Sequence, residues 1–150
     1  MNDFKMIGIS HTYDNCKVDY FEFPLELLNS TASLLFSNER EFIEFLLRND
    51  WIQRKLGFKL PTTSNGRFPD ITAHTYDQYK TKIEVEVEYK AEHFIIHKHN
   101  TVYCDLILSF IRSNKNTNIS GIPIWSFYKR IKDKLIYTLD EDIFDQNRRK

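Results

Sequence analysis

Hydrophobic and polar residues alternate without a break from Ile83 to Lys90. Ile83, Val85, Val87 and Tyr89 fall on one side of a strand, and Glu84, Glu86, Glu88 and Lys90 on the other. Glutamate is depleted in strands, and like charges side by side repel, so this charged face needs something to offset its cost. Elsewhere the pattern is plainer. Asn38 followed by Glu41 resembles a capping box, and Phe42, Phe45, Leu46, Asn49 and Ile52 then recur at helical spacing until Gly57. This predicts one helix over 38–57. The Phe23–Phe36 stretch has helical spacing interrupted by Asn29, Ser30 and Thr31. Pro61–Arg67 is rich in turn formers, and Arg67–Tyr76 reads as a strand with Pro69 near its start, where proline is tolerated. Ala91–Asn100 suits a short helix, and the apolar run Cys104–Phe110 a buried strand. Ile122–Lys129 and Lys134–Leu139 suggest a hairpin, and Phe4–Ser10 a further strand. The order is helix, strand, strand, helix, strand and a β tail, which predicts a mixed α/β domain.

At 150 residues the chain fits one domain with a substantial core. No window holds the ~18 uninterrupted apolar residues of a membrane helix, so no membrane partner is expected. The N-terminus lacks the pattern of a signal peptide. The two cysteines, Cys16 and Cys104, make no disulfide framework, which points to a reducing, cytoplasmic setting. The abundance of Asn, Ile and Lys hints at an AT-rich genome, such as that of a virus or mobile element. Zero formal net charge argues against a bulk polyanion binder. Basic residues nevertheless cluster at Lys129, Arg130, Lys132 and Lys134.

If Asp77–Thr81 closes a five-residue hairpin loop, Tyr76 faces Lys82. Thr72 then faces Glu86, His74 faces Glu84, and Asp70 falls opposite Glu88. Ile71 meets Val87 and Ala73 meets Val85 on the apolar side. Asp70 and Glu88 would then have Cβ atoms about 5 Å apart. Two carboxylates that close are unfavourable alone, and a divalent cation between them relieves the repulsion. Hard oxygen ligands suit Mg²⁺ or Mn²⁺. Lys90, on the same face, is placed to neutralise an acid, orient a water or steady a phosphate. The blander alternative is a solvent-facing strand with an ordinary charged side.

Pro69-Asp70, seventeen further residues, then Glu88-Tyr89-Lys90 resembles the signature of the PD-(D/E)xK nuclease superfamily. The element order over about 38–110 is similar to that family's restriction-endonuclease-like αβββαβ core, with a mixed central sheet. Residues 111–150 would add C-terminal strands. The resemblance implies Mg²⁺- or Mn²⁺-dependent hydrolysis of phosphodiesters in DNA, with RNA as an alternative substrate and a homodimer if both strands are cut. By carry-over, Asp70, Glu88 and Lys90 would be catalytic. Asp70, Glu88 and the backbone carbonyl of Tyr89 would hold the metal, with Glu41, then Glu44, as a further acid from the first helix. The motif also fits one pair earlier, with Glu86 as the ligand and Glu88 in the lysine position. The same fold kept as a non-catalytic nucleic-acid-binding or assembly module is the competing reading.

His93, His97, His99 and Cys104 match no strong zinc spacing; His97 is a candidate phosphate contact. Cys104 suits a core position better than that of a nucleophile. Lys129, Arg130, Lys132 and Lys134, with Trp125 and Tyr128, would suit a basic, aromatic nucleic-acid surface. A hairpin turn exposing lysines explains the same residues.

Overall fold

A computed structural model describes residues 4–13, 16–25, 36, 38–64, 71–96 and 103–148. The chain forms a mixed α/β domain around one mixed sheet. Its elements are β1 (Phe4–Tyr13), β2 (Cys16–Pro24), α1 (Glu39–Arg48), α2 (Asp50–Leu56), β3 (Phe58–Lys59), β4 (Ile71–Thr75) and β5 (Lys82–Lys90), then α3 (His93–Ile96), β6 (Leu106–Ser113), β7 (Asn118–Ile119), β8 (Ile122–Ile131), β9 (Lys134–Tyr137) and α4 (Leu139–Arg148). The sheet runs β1-β2-β9-β8-β6-β5-β4-β3, with β7 paired to β8. β5, β6 and β8 are parallel neighbours, whereas β4 pairs antiparallel with β5, and β3 with β4.

α1 begins as its sequence predicts, with the Asn38 side chain accepting from the Glu41 amide at 2.9 Å. The single helix expected over 38–57 is two. The chain leaves helical geometry at Asn49, whose side chain donates back to the Phe45 carbonyl at 2.7 Å. α2 ends at Gly57 in the left-handed region, φ 91°, where a side chain would be strained. The buried side of α1 (Phe42, Phe45, Leu46) joins Val85, Val87, Leu108, Phe110 and Phe127 in the main core. Stacked and edge-on rings continue it through Phe21, Phe23 and Tyr128 to β2. A smaller apolar cluster contains Ala91, Phe94, Cys104, Ile107, Ile122 and Ile124.

β2 and α4 were not anticipated. The expectation of a β tail is corrected beyond Tyr137: α4 begins directly after Thr138, and its first turn carries Asp140, Glu141 and Asp142. Asp142 holds the helix in place. Its carboxylate accepts from Arg112 at 2.9 and 3.3 Å, from the Ser126 amide at 2.9 Å and from the Thr138 hydroxyl at 3.3 Å. The helical expectation over Phe23–Phe36 lies largely outside the described residues.

Candidate functional site

The hairpin of β4 and β5 forms, but not in the expected register. Ile71 pairs with Val85, Thr72 with Glu84, Ala73 with Ile83 and His74 with Lys82. Partner numbers sum to two less than expected, so the Thr72–Glu86, His74–Glu84, Ile71–Val87 and Ala73–Val85 pairs are not made. The turn explains the slip. Asp77 Oδ1 accepts from the Thr75 hydroxyl and from the amides of Tyr79 and Lys80, at 2.9–3.1 Å. Lys80 takes a left-handed conformation, φ 46°, and the Thr81 amide donates to Thr75 Oγ1 at 2.8 Å. This Asp-centred turn closes the loop at Thr75 and Thr81, one residue earlier than Tyr76 and Lys82. Asp70 itself lies outside the described residues. Glu86, rather than Glu88, is the first β5 residue beyond the last described cross-strand pair.

The period-two reading of β5 holds, but its charged face is not turned to solvent along its length. Glu84 is partly exposed, while Glu86 and Glu88 are only 4% and 0% exposed. β5 is a central strand, covered on this face at its carboxyl half. The β6 neighbours of Glu86 and Glu88 in register are Ile107 and Ser109. Ser109 is hydrogen-bonded to Ser126 on β8. Lys90, half-buried, ends the row beside Ile111. Glu84 is otherwise engaged: it accepts from Thr72 at 3.2 Å and pairs with Lys82 at 3.2 Å.

Two acids two residues apart on one strand face lie about 7 Å from each other. Their donors are hard oxygens, the chemistry that suits Mg²⁺ or Mn²⁺. Among the described residues no three His, Cys, Asp or Glu side chains converge on one point. Tyr89 points to the other face, where its hydroxyl donates to the Phe36 carbonyl at 2.7 Å. Glu41 and Glu44 are exposed on α1, and Glu44 pairs with Arg40 at 3.6 Å. The apolar side of α1 lies on the Val85/Val87 side of the sheet. His97 and His99 lie outside the described residues.

Cys104 is a core residue, as its sequence context suggests. Its thiol donates to the Leu106 carbonyl at 3.4 Å, and burial pushes its pKa up to about 11. The carboxylates of Glu86 and Asp105 act in the same direction, so the neutral thiol is favoured.

The proposed basic, aromatic surface on the β8–β9 hairpin needs correction. Trp125 and Tyr128 are buried and offer no ring to a base. Lys129 pairs with Glu141 at 3.7 Å and also lowers the pKa of Glu22, which burial raises. Arg130 turns back to the Lys132 carbonyl at 3.4 Å. Lys132 and Lys134 are exposed at and beside the hairpin turn.

Sequence reasoning missed the buried Arg112–Asp142 pair. Its signals were an arginine inside a buried apolar run, and Thr138 three residues before Glu141, a capping-box spacing. No helix among the described residues is long and apolar enough to cross a membrane. No family model, curated protein or solved structure matches the chain, so the functional argument rests on the geometry of the site.

Proposed function

We propose that the protein is a metal-dependent nuclease of the restriction-endonuclease-like type, hydrolysing phosphodiester bonds in DNA. The observation that carries this reading is the pair of buried glutamates, Glu86 and Glu88, on one face of a central strand, with Lys90 next in the row. Burying two like charges side by side is costly unless a cation or other donors compensate them. The element order α1–α2, β3, β4, β5, α3, β6, with β5 parallel to β6, agrees with an αβββαβ core.

The register supports one revision of the residue roles. Asp70 and Glu86 become the acids that hold Mg²⁺ or Mn²⁺, and Glu88 takes the lysine position of the motif, as in the earlier-pair alternative. The bound metal would lower the pKa of a water and stabilise charge on the phosphoryl oxygens. Lys90, next in the row after Glu88, would steady the phosphate backbone through its ammonium donors. A second reading, a non-catalytic nucleic-acid-binding module of the same architecture, is favoured by the complete burial of Glu88 beside the Ser109–Ser126 hydrogen bond.

Cleavage of supercoiled plasmid and of labelled single-stranded and branched DNA, with Mg²⁺ or Mn²⁺ against EDTA, decides between them. The nuclease reading expects cutting that needs metal and is lost in Asp70→Ala, Glu86→Gln and Lys90→Ala. Full cutting by Asp70→Ala would remove the assignment.

A further inference from the structure

The same face of the sheet carries a second charged row, running across the strands rather than along one. Lys59 on β3 pairs in register with His74 on β4, and His74 with Lys82 on β5. In-register partners share a face, so two lysines flank a histidine over two strand spacings, about 10 Å. All three side chains are exposed. The two lysines give this part of the face a positive potential, partly offset where Glu84 pairs with Lys82 at 3.2 Å. Of the acids nearby, Asp77 is taken up by the turn, and Glu84 is shared between Lys82 and Thr72. Next to the row the turn presents Lys80 and Tyr79, the latter 76% exposed. Tyr76, also exposed, has the Arg54 guanidinium over its ring at 5.1 Å.

We infer that Lys59, His74 and Lys82 form a binding surface for the backbone of single-stranded nucleic acid, with Tyr79 as a stacking platform for an unpaired base. Lysine ammoniums and an imidazole N–H are donors suited to phosphate oxygens. An exposed tyrosine beside such donors is the combination that holds single strands without reading sequence, since every unpaired base offers a π-face. A duplex hides those faces. The row also has a direction. Lys82 and Glu86 lie on the same face of β5, four residues or about 13 Å apart. A strand held on the row therefore lies about 13 Å from the covered half of the face that holds the buried acids. The inference rests on the nuclease reading only for that last step; phosphate and base recognition stand apart from catalysis.

The test is fluorescence anisotropy of a labelled single-stranded oligothymidylate, titrated with protein in EDTA over a range of salt. Without metal the assay reads the cationic row whether or not the chain cuts. Lys59→Gln/Lys82→Gln is expected to weaken binding about tenfold or more, and to flatten the salt slope by about 1.4, two phosphates at ~0.7 each. Tyr79→Ala is expected to weaken it about tenfold with the salt slope kept. All three positions are exposed, so circular dichroism of the variants should match the wild type. Unchanged affinity and slope in the double lysine variant would overturn the inference. So would tighter binding of a duplex of the same length, or equal binding of polyglutamate.

Discussion

Asp142 and the Glu86–Glu88 pair are all buried acids, but their surroundings differ. Asp142 faces an opposite charge, Arg112, at 2.9 Å, and also accepts from a backbone amide and a hydroxyl. Its salt bridge locks α4 onto the sheet and caps the Ser126 amide. Glu86 and Glu88 have each other as like-charged neighbours on their own strand, with Ile107 and Ser109 in register on β6. The first arrangement is what a structural acid looks like. The second sets two buried acids on one face of a central strand, and the proposed reading gives that face to a cation.

The largest expected effect breaks the structural side of this comparison. Asp142→Ala strands the Arg112 charge in the core and should cost about 3–5 kcal/mol in urea unfolding. Arg112→Met/Asp142→Leu should recover part of that loss. The remaining deficit would come from the Ser126 amide, which then has no acceptor at Asp142.

Glu86→Gln and Glu88→Gln should behave in the opposite way. Each removes a carboxylate from the row while keeping the side chain's shape, and the metal-site reading expects that to relieve repulsion. Stability is expected to stay within about 1 kcal/mol of wild type, or to rise, by urea unfolding. Glu86→Gln should lower metal-dependent cleavage at least a hundredfold, about 3 kcal/mol of barrier. A loss of stability as large as that of Asp142→Ala would class these glutamates as structural.

A smaller effect concerns the turn that sets the register. Asp77→Ala removes three hydrogen bonds of a solvent-exposed turn and should cost about 1 kcal/mol, lowering Tm by about 2–4 °C. The thiol beside Glu86 gives the smallest effect. The folded pKa of Cys104 is raised to about 11 from an ordinary 9.0. Folding therefore retains its proton, and the contribution is fully present below pH 9 and lost as pH rises from 9 through 11. Tm measured over that range should fall less steeply in Cys104→Ala than in wild type.

Much of this was legible from the chain itself. The alternation of β5 and the continuous apolar run of β6 are strong periodic signals, and Asn38 with Glu41 marks the start of α1. The β8–β9 hairpin also follows its pattern. What failed were features set by single side chains. Asp77 gathers the turn and moves the whole hairpin by one pair, which no periodicity reveals. Asn49 breaks a helix whose apolar spacing continues through it. Burial was misjudged for Trp125 and Tyr128, because a basic neighbourhood in sequence is not one in space. The candidate acids were legible as a row, yet which of them faces the start of β4 depended on that one turn.

Calorimetric titration with Mn²⁺ tests the central claim most directly. Wild-type protein should bind one Mn²⁺, and Glu86→Gln, folded to wild-type stability, should lose that heat. Binding unchanged in Glu86→Gln, or no binding by the wild type, would contradict a metal site on the β5 carboxylate face.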